Sequence, residues 1–233
     1  MAPRTFVGPS GRTFNETDIQ LWLDLEENSS FGWNPEEIKF KGGFMSHIYF
    51  SGRNELSDKP TLFKRVARKL KTRIHTARLP KSDRNISLIG IPTAGTQFAQ
   101  RIADLSLEDR DEVQISSRTM LKEKKSHGKK DFWVGPADHR RHVYATVENV
   151  CSTAASMIEA FERLEPEGYQ VKEMHHFVFF DWELGGMKKL KAAGYENVTA
   201  EYVARDVIAM LVHCRRWPMD RWDYIEPKLA EFR

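Results

Sequence analysis

A chain of 233 residues with 30% charged residues and a formal net charge of +3 is long enough for one sizeable domain, and nothing resembling a linker divides it. The near-balanced charge makes a nucleic-acid or membrane partner unnecessary, two cysteines exclude a disulfide framework, and no apolar run approaches the ~20 residues of a membrane span. Met1-Ala2-Pro3-Arg4-Thr5 lacks the apolar core of a signal peptide, so a cytoplasmic protein is expected, and the four Asn-x-Ser/Thr tripeptides are read as chance matches.

Residues 1–56 read as an N-terminal extension and small hood, and 57–233 as an α/β core. Ser57-Asp58-Lys59-Pro60 reads as the caps and first-turn proline of a helix whose apolar stripe is Leu62, Phe63, Val66, Leu70 and Ile74. Its opposite face, with Lys64, Arg65, Arg68, Lys69 and Arg73, reads as a solvated helix face rather than an RNA-binding surface. Ile86 to Ile91 predicts a buried strand ending at Pro92, Thr93-Ala94-Gly95-Thr96 a turn, and Gln97 to Leu105 a helix. Val113 to Ser117 predicts the next strand, followed by a lysine-rich loop.

A further strand then leads into the most informative stretch, Tyr144 to Ser156. Its apolar residues deliver Glu148 and Asn149 near a sheet edge, and Ser152, Thr153 and Ser156 offer hydroxyls beside the amides of a following helix's first turn. Such a strand-loop-helix junction can hold a phosphate through backbone N–H groups and the helix dipole. Met157, Ile158, Phe161 and Leu164 then form a helical stripe, and His176 to Phe180 a strand. A helix closes at Gly194, and Val203, Val207, Ile208, Leu211 and Val212 line a last one. Apolar runs alternating with helical patterns predict a central parallel sheet flanked by helices.

The Glu148 to Ser156 stretch resembles the 5-phosphoribosyl 1-diphosphate (PRPP) motif of type I phosphoribosyltransferases, with Asn149 at the second acidic position and Ala154 at the glycine. Three more islands occur in the same order. Lys41-Gly42-Gly43-Phe44-Met45-Ser46-His47-Ile48-Tyr49-Phe50 looks like the signature near the start of orotate phosphoribosyltransferases. Lys122-Glu123-Lys124-Lys125-Ser126-His127-Gly128 is similar to that family's mobile catalytic loop. Asp181-Trp182-Glu183-Leu184-Gly185-Gly186 resembles its Asp-Arg-x-x-Gly-Gly strand end.

The resemblance implies a type I phosphoribosyltransferase fold and transfer of 5-phosphoribosyl from PRPP, carried with Mg²⁺ on its pyrophosphate, to a pyrimidine-like base in nucleotide biosynthesis. It further implies a homodimer in which the mobile loop is shared. Residue by residue, Glu148 would stabilise the ribosyl cation and Asn149 hold a ribose hydroxyl. Ser152, Thr153, Ala154, Ala155 and Ser156 would take the 5′-phosphate, with Thr93, Ala94 and Gly95 beside the pyrophosphate. Lys122, Lys125 and His127 would neutralise that leaving group, and Lys41, Tyr49, Phe50 and Trp182 would meet the base.

The chain departs from the family pattern at Asn149, Ala154, Ala94, Leu121 and Trp182. Arg118 is a candidate substitute for the arginine missing at Leu121. These changes leave open a second reading, a protein of the same fold with attenuated or absent chemistry that binds PRPP, a nucleotide or a protein partner. Adjacent His175 and His176 point to opposite faces of a strand and are read as structural, and Cys151 has no neighbouring histidine to activate it.

Overall fold

The computed structural model describes residues 5–40, 42–52, 54–77, 79, 85–123 and 137–232. The antiparallel strands β1 (Thr5–Val7) and β2 (Thr13–Asn15) lead into helix α1 (Glu16–Glu27). Asn15 caps α1 by accepting from the Asp18 amide at 3.0 Å, while Asp18 accepts from the Asn15 amide at 3.2 Å, so each side chain satisfies a backbone donor the helix start leaves unpaired. An antiparallel hairpin follows, β3 (Phe31–Lys39) and β4 (Met45–Phe50), then the single turn α2 (Asn54–Ser57) and α3 (Pro60–Thr76).

Strand β5 (Asn85–Gly90), α4 (Ala94–Glu108), β6 (Ile115–Thr119), β7 (His142–Cys151), α5 (Ala155–Leu164) and β8 (His175–Asp181) come next. Helix α6 (Gly186–Ala192), β9 (Val198–Val203), α7 (Ala204–His213) and α8 (Met219–Ala230) complete the chain. Five strands form one all-parallel sheet in the order β6-β5-β7-β8-β9. Its two faces divide the core. Leu88, Ala145, Val147, Phe177 and Phe179 pack with residues of α1, α3, α4 and α7, while Ile89, Tyr144 and Val178 pack with α5 residues and Leu190. Both faces being covered explains why the central strands read as nearly continuous apolar runs.

Several boundaries differ from the sequence expectation. Helix α4 begins at Ala94, so Ala94, Gly95 and Thr96 are its first turn and not a connecting turn. Strand β6 starts at Ile115, after Val113. Val203 ends a strand, β9, instead of opening the last helix, and α8 lies beyond the helix expected to be final. Pro60 does open α3, but the cap residue is Lys59 without a side-chain bond, and Ser57 Oγ instead donates to Gln97 Oε1 at 2.9 Å.

The basic face of α3 is knitted to neighbouring acids. Lys64 pairs with Glu108, Arg65 with Asp24, Arg68 with Asp109, and Arg73 with Glu201. Lys71, 6% exposed, holds both Asp109 and Asp111. A face so neutralised staples α1, α3 and the end of α4 together, leaving little net charge for a phosphate backbone. Asp18 joins the N-terminal segment to the core by accepting from Tyr202 Oη at 2.6 Å and pairing with Lys69 at 2.7 Å. Burial acts to raise its pKa, but those two bonds outweigh it and hold the carboxyl below its ordinary range. Among the described residues no helix is long and apolar enough to cross a membrane.

His176 lies fully buried in β8 with Phe161 4.2 Å away, centroid to centroid. Nδ1 meets Thr146 Oγ1 at 2.9 Å and Nε2 meets the Val171 carbonyl at 3.0 Å, a pairing that suits the neutral ring protonated at Nε2. Burial is the main cause that pushes its pKa down to about 4. The unfolded chain therefore takes up a proton near pH 6.5 that the folded chain refuses. The histidine's contribution is fully present above that pH and is lost as pH falls toward about 4, by up to about 3 kcal/mol. Denaturant titrations at several pH values are expected to show this slope in the wild type and a shallower one in His176→Phe.

Candidate functional site

At the C-terminal edge of the parallel sheet, where open α/β sheets gather their ligands, lies a cavity of about 400 Å³. The end of β7, the loop Ser152–Ala154 and the start of α5 form one wall. Thr93 and Ala94 at the start of α4 form another, and Phe40, Phe50, Ser51, Gly52 and Trp182 a third. Among the candidate residues, the fold thus brings together Glu148, Asn149, Ser152, Thr153, Ala154, Ala155, Ser156, Thr93, Ala94, Phe50 and Trp182.

The candidate cradle of residues 152–156 is set by backbone geometry. Ala154 takes the left-handed conformation, φ 60° and ψ 9°, directly before the first residue of α5. That turn brings the start of α5 to the cavity wall through Ala155 and Ser156, and a helix start favours an anion through its first-turn N–H groups and its dipole. Close backbone approach holds the loop in place. Gly186 donates to the Ser152 carbonyl at 3.0 Å and Trp182 to the Cys151 carbonyl at 2.8 Å, which joins the ends of β7 and β8. A Cβ on Gly186 would lie 2.4 Å from the Ser152 carbonyl oxygen and 2.9 Å from the Ala154 nitrogen, so only glycine fits. Gly95 is equally constrained, since its Cβ would stand 2.4 Å from the Val147 carbonyl oxygen.

Glu148 and Asn149 both belong to β7 itself. Glu148 Oε1 accepts from the Asn149 amide at 2.8 Å, and both residues are buried. The Asn149 side chain packs against Gly52, whose Cβ would lie 2.6 Å from Nδ2. Asp181, the acid at the end of β8, is 6% exposed and accepts from the Glu183 amide at 3.0 Å. Burial is the main cause lifting its pKa, to about 7. Cys151 is 1% exposed, and burial followed by the nearby Asp181 and Glu148 charges pushes its thiol up, which makes a thiolate nucleophile unavailable.

Other candidates lie elsewhere. Tyr49 is adjacent to Phe50 on β4 and so projects to the opposite face, where its hydroxyl covers Gly32. Gly95 lies beneath the cavity lining. Lys122 does not line the cavity, and its carbonyl accepts from Arg163 of α5 at 2.6 Å. Arg118 reaches away from the site, donating to Tyr169 Oη at 2.7 Å with its guanidinium over the Tyr144 ring. Lys41, Lys125 and His127 lie outside the described residues. No group of three or more His, Cys, Asp or Glu side chains able to hold a metal ion occurs among the described residues. His176 is a structural residue, and His175 projects from the opposite face of β8.

Sequence reasoning passed over Phe40, Ser51, Gly52, Pro92 and Met157 as lining residues. Phe40 had a usable signal, its place immediately before the Lys41 to Phe50 sequence island. The Phe40 N–H donates to the Phe44 carbonyl at 2.8 Å, and Gly42 approaches the candidate cradle so closely that its Cβ would lie 3.0 Å from Thr153 Cγ2.

Two substitutions test this account of the cradle. Ala154→Gly removes the strain of a left-handed alanine and is expected to stabilise the protein by roughly 0.5–1 kcal/mol after the extra chain entropy of glycine is counted. Gly186→Ala forces backbone atoms apart and is expected to cost about 1–3 kcal/mol. Denaturant midpoints of the two variants check both signs.

No protein-family model matches this sequence. Solved structures do share its architecture. UMP synthase of Leishmania donovani aligns with a TM-score of 0.70 at 19% identity, over 91% of this chain and 42% of that one. The present chain therefore spans less than half of that UMP synthase chain. Orotate phosphoribosyltransferase of Francisella tularensis aligns with a TM-score of 0.61 at 13% identity, covering 89% and 98% of the two chains. The Aeropyrum pernix enzyme of the same name gives 0.57 at 18%, covering 82% and 97%. With its five-stranded parallel sheet flanked by helices, this chain has the type I phosphoribosyltransferase fold.

Proposed function

We propose that the cavity binds PRPP and that the protein transfers its 5-phosphoribosyl group to a nitrogenous base with release of pyrophosphate, a glycosyltransferase reaction of the kind named for its structural neighbours. One observation carries the reading. A single cavity at the sheet's C-terminal edge joins a backbone anion cradle, a buried acid and amide pair, and an aromatic wall. These are the polar and apolar devices that a 5′-phosphate, a ribose and a base require in series.

In this reading the 5′-phosphate sits on the amides and hydroxyls of residues 152–156. Asn149 hydrogen-bonds a ribose hydroxyl. A base nitrogen attacks the anomeric carbon as its bond to pyrophosphate breaks, the electron pair leaves with pyrophosphate, and the nitrogen's proton passes to solvent. Glu148 favours the positive charge that builds on the sugar between those events. Mg²⁺ arrives with the pyrophosphate as part of the substrate. Lys122, Lys125 and His127 belong to the loop proposed to neutralise the leaving group, and Lys41 to the acceptor turn. A homodimer sharing that loop is part of the proposal, and light scattering on the purified protein reports the oligomer directly.

Asn149 favours a second reading, in which the fold binds PRPP or a nucleotide with little turnover. An amide supplies no negative charge opposite the developing cation. A lost charge-assisted bond is worth roughly 1.5–3 kcal/mol, on the order of 10–150-fold in rate if fully expressed in the transition state. Calorimetric titration with Mg²⁺ and PRPP is expected to show saturable, magnesium-dependent binding. Asn149→Asp is expected to tighten it or to raise pyrophosphate release with a base by about tenfold or more. Absence of heat from both proteins, with folding verified, would contradict either reading.

A further inference from the structure

We infer that the acceptor taken by this cavity is a planar heterocycle that carries no carboxylate. The inference rests on the phosphoribosyl reading and narrows it to a substrate class.

Three rings, Phe40, Phe50 and Trp182, face the cavity beyond the cradle. Phe50 is held by its neighbours, with ring centroids 5.5 Å from Phe180 and 5.8 Å from Phe179. Phe40 stands edge-on to Trp182 at 5.1 Å and to Phe44 at 5.7 Å. Trp182 itself is 1% exposed, fixed by its backbone N–H donating to the Cys151 carbonyl, stacked on Phe31 at 6.4 Å and edge-on to Phe180 at 5.0 Å. It reaches the cavity only as part of a rigid aromatic layer. Such a wall offers dispersion contact and ring edges to a flat, neutral ring, and its indole cannot make the forked, charge-assisted bonds that grip a carboxylate.

The sign of the polar wall agrees. Glu148, the charged side chain among the described lining residues, is an acid, so none of those residues offers a cation to a substrate carboxylate. With the hydroxyls of residues 152–156, Asn149 and Thr93 assigned to the phosphoribosyl and pyrophosphate groups, the polar side chain lining the cavity next to Phe50 is the neutral hydroxyl of Ser51. A neutral group of this kind suits the ring nitrogens and carbonyls of an uncharged base.

Uracil and orotate differ by one carboxylate and make the cleanest pair of probes. Both, together with cytosine, adenine and hypoxanthine, are titrated into the protein saturated with Mg²⁺ and PRPP, reading heat and pyrophosphate release. At least one uncharged base is expected to bind tenfold or more tightly than orotate, and Phe40→Ala is expected to weaken that base while leaving PRPP binding unchanged. Orotate binding as tightly as the best uncharged base overturns the inference, most plainly if Lys41→Ala abolishes it and so exposes a cationic grip. PRPP binding with no base bound at all also overturns it, whereas failure to bind PRPP removes the phosphoribosyl reading beneath it.

Discussion

Everything at the functional edge depends on how closely three backbone segments approach one another beneath the cavity. The end of β7 and the loop after it are met closely by the start of α6 and the start of α4, because Gly186 and Gly95 leave the Ser152 and Val147 carbonyls room that a Cβ would fill. Two backbone bonds, from Trp182 to Cys151 and from Gly186 to Ser152, lock that arrangement. The conformation of the loop after β7 is therefore set by contacts within the protein, and amides preorganised in this way cost little reorganisation on meeting an anion. The left-handed Ala154 is the strained member of the set, tolerated because the surrounding contacts determine its conformation.

The β3–β4 hairpin is tied to helix α8. Trp33 of β3 stacks on His47 at 4.8 Å, while Arg221 of α8 lies over both Trp33 and Trp217. Tyr224 and Lys228 of the same helix both reach Glu37, at 2.5 and 2.7 Å. The hairpin that carries the aromatic wall is thus braced by α8, and Gly42 closely approaches Thr153. The loop after β7 and the aromatic residues lining the cavity are packed together, which gives the cavity a defined shape.

The sheet was legible because its central strands are covered on both faces: Ile86 to Gly90 and His176 to Phe180 carry continuous apolar runs that no surface element would tolerate. Strand β9 was not, since Thr199 and Glu201 interrupt its apolar residues, and α8 was obscured by its many charges and by Pro227. The start of α4 was hidden because Gly95 and Thr96 are turn-forming residues whose helical placement comes from packing against β7. In the site, the cradle was readable as a local pattern of small hydroxyls after a strand. Side-chain direction was only partly readable. Strand alternation alone separates Tyr49 from Phe50, whereas the burial of Trp182 among Phe31, Phe40 and Phe180 comes from residues distant in sequence.

The measurement that tests the central claim most directly is a crystal structure of the protein grown with PRPP and Mg²⁺. The account predicts the 5′-phosphate within hydrogen-bond distance of backbone amides of residues 152–156, with the ribose hydroxyls toward Glu148 and Asn149. A phosphoribosyl group bound elsewhere, or a cavity that excludes PRPP from well-ordered crystals at saturating concentration, would contradict it.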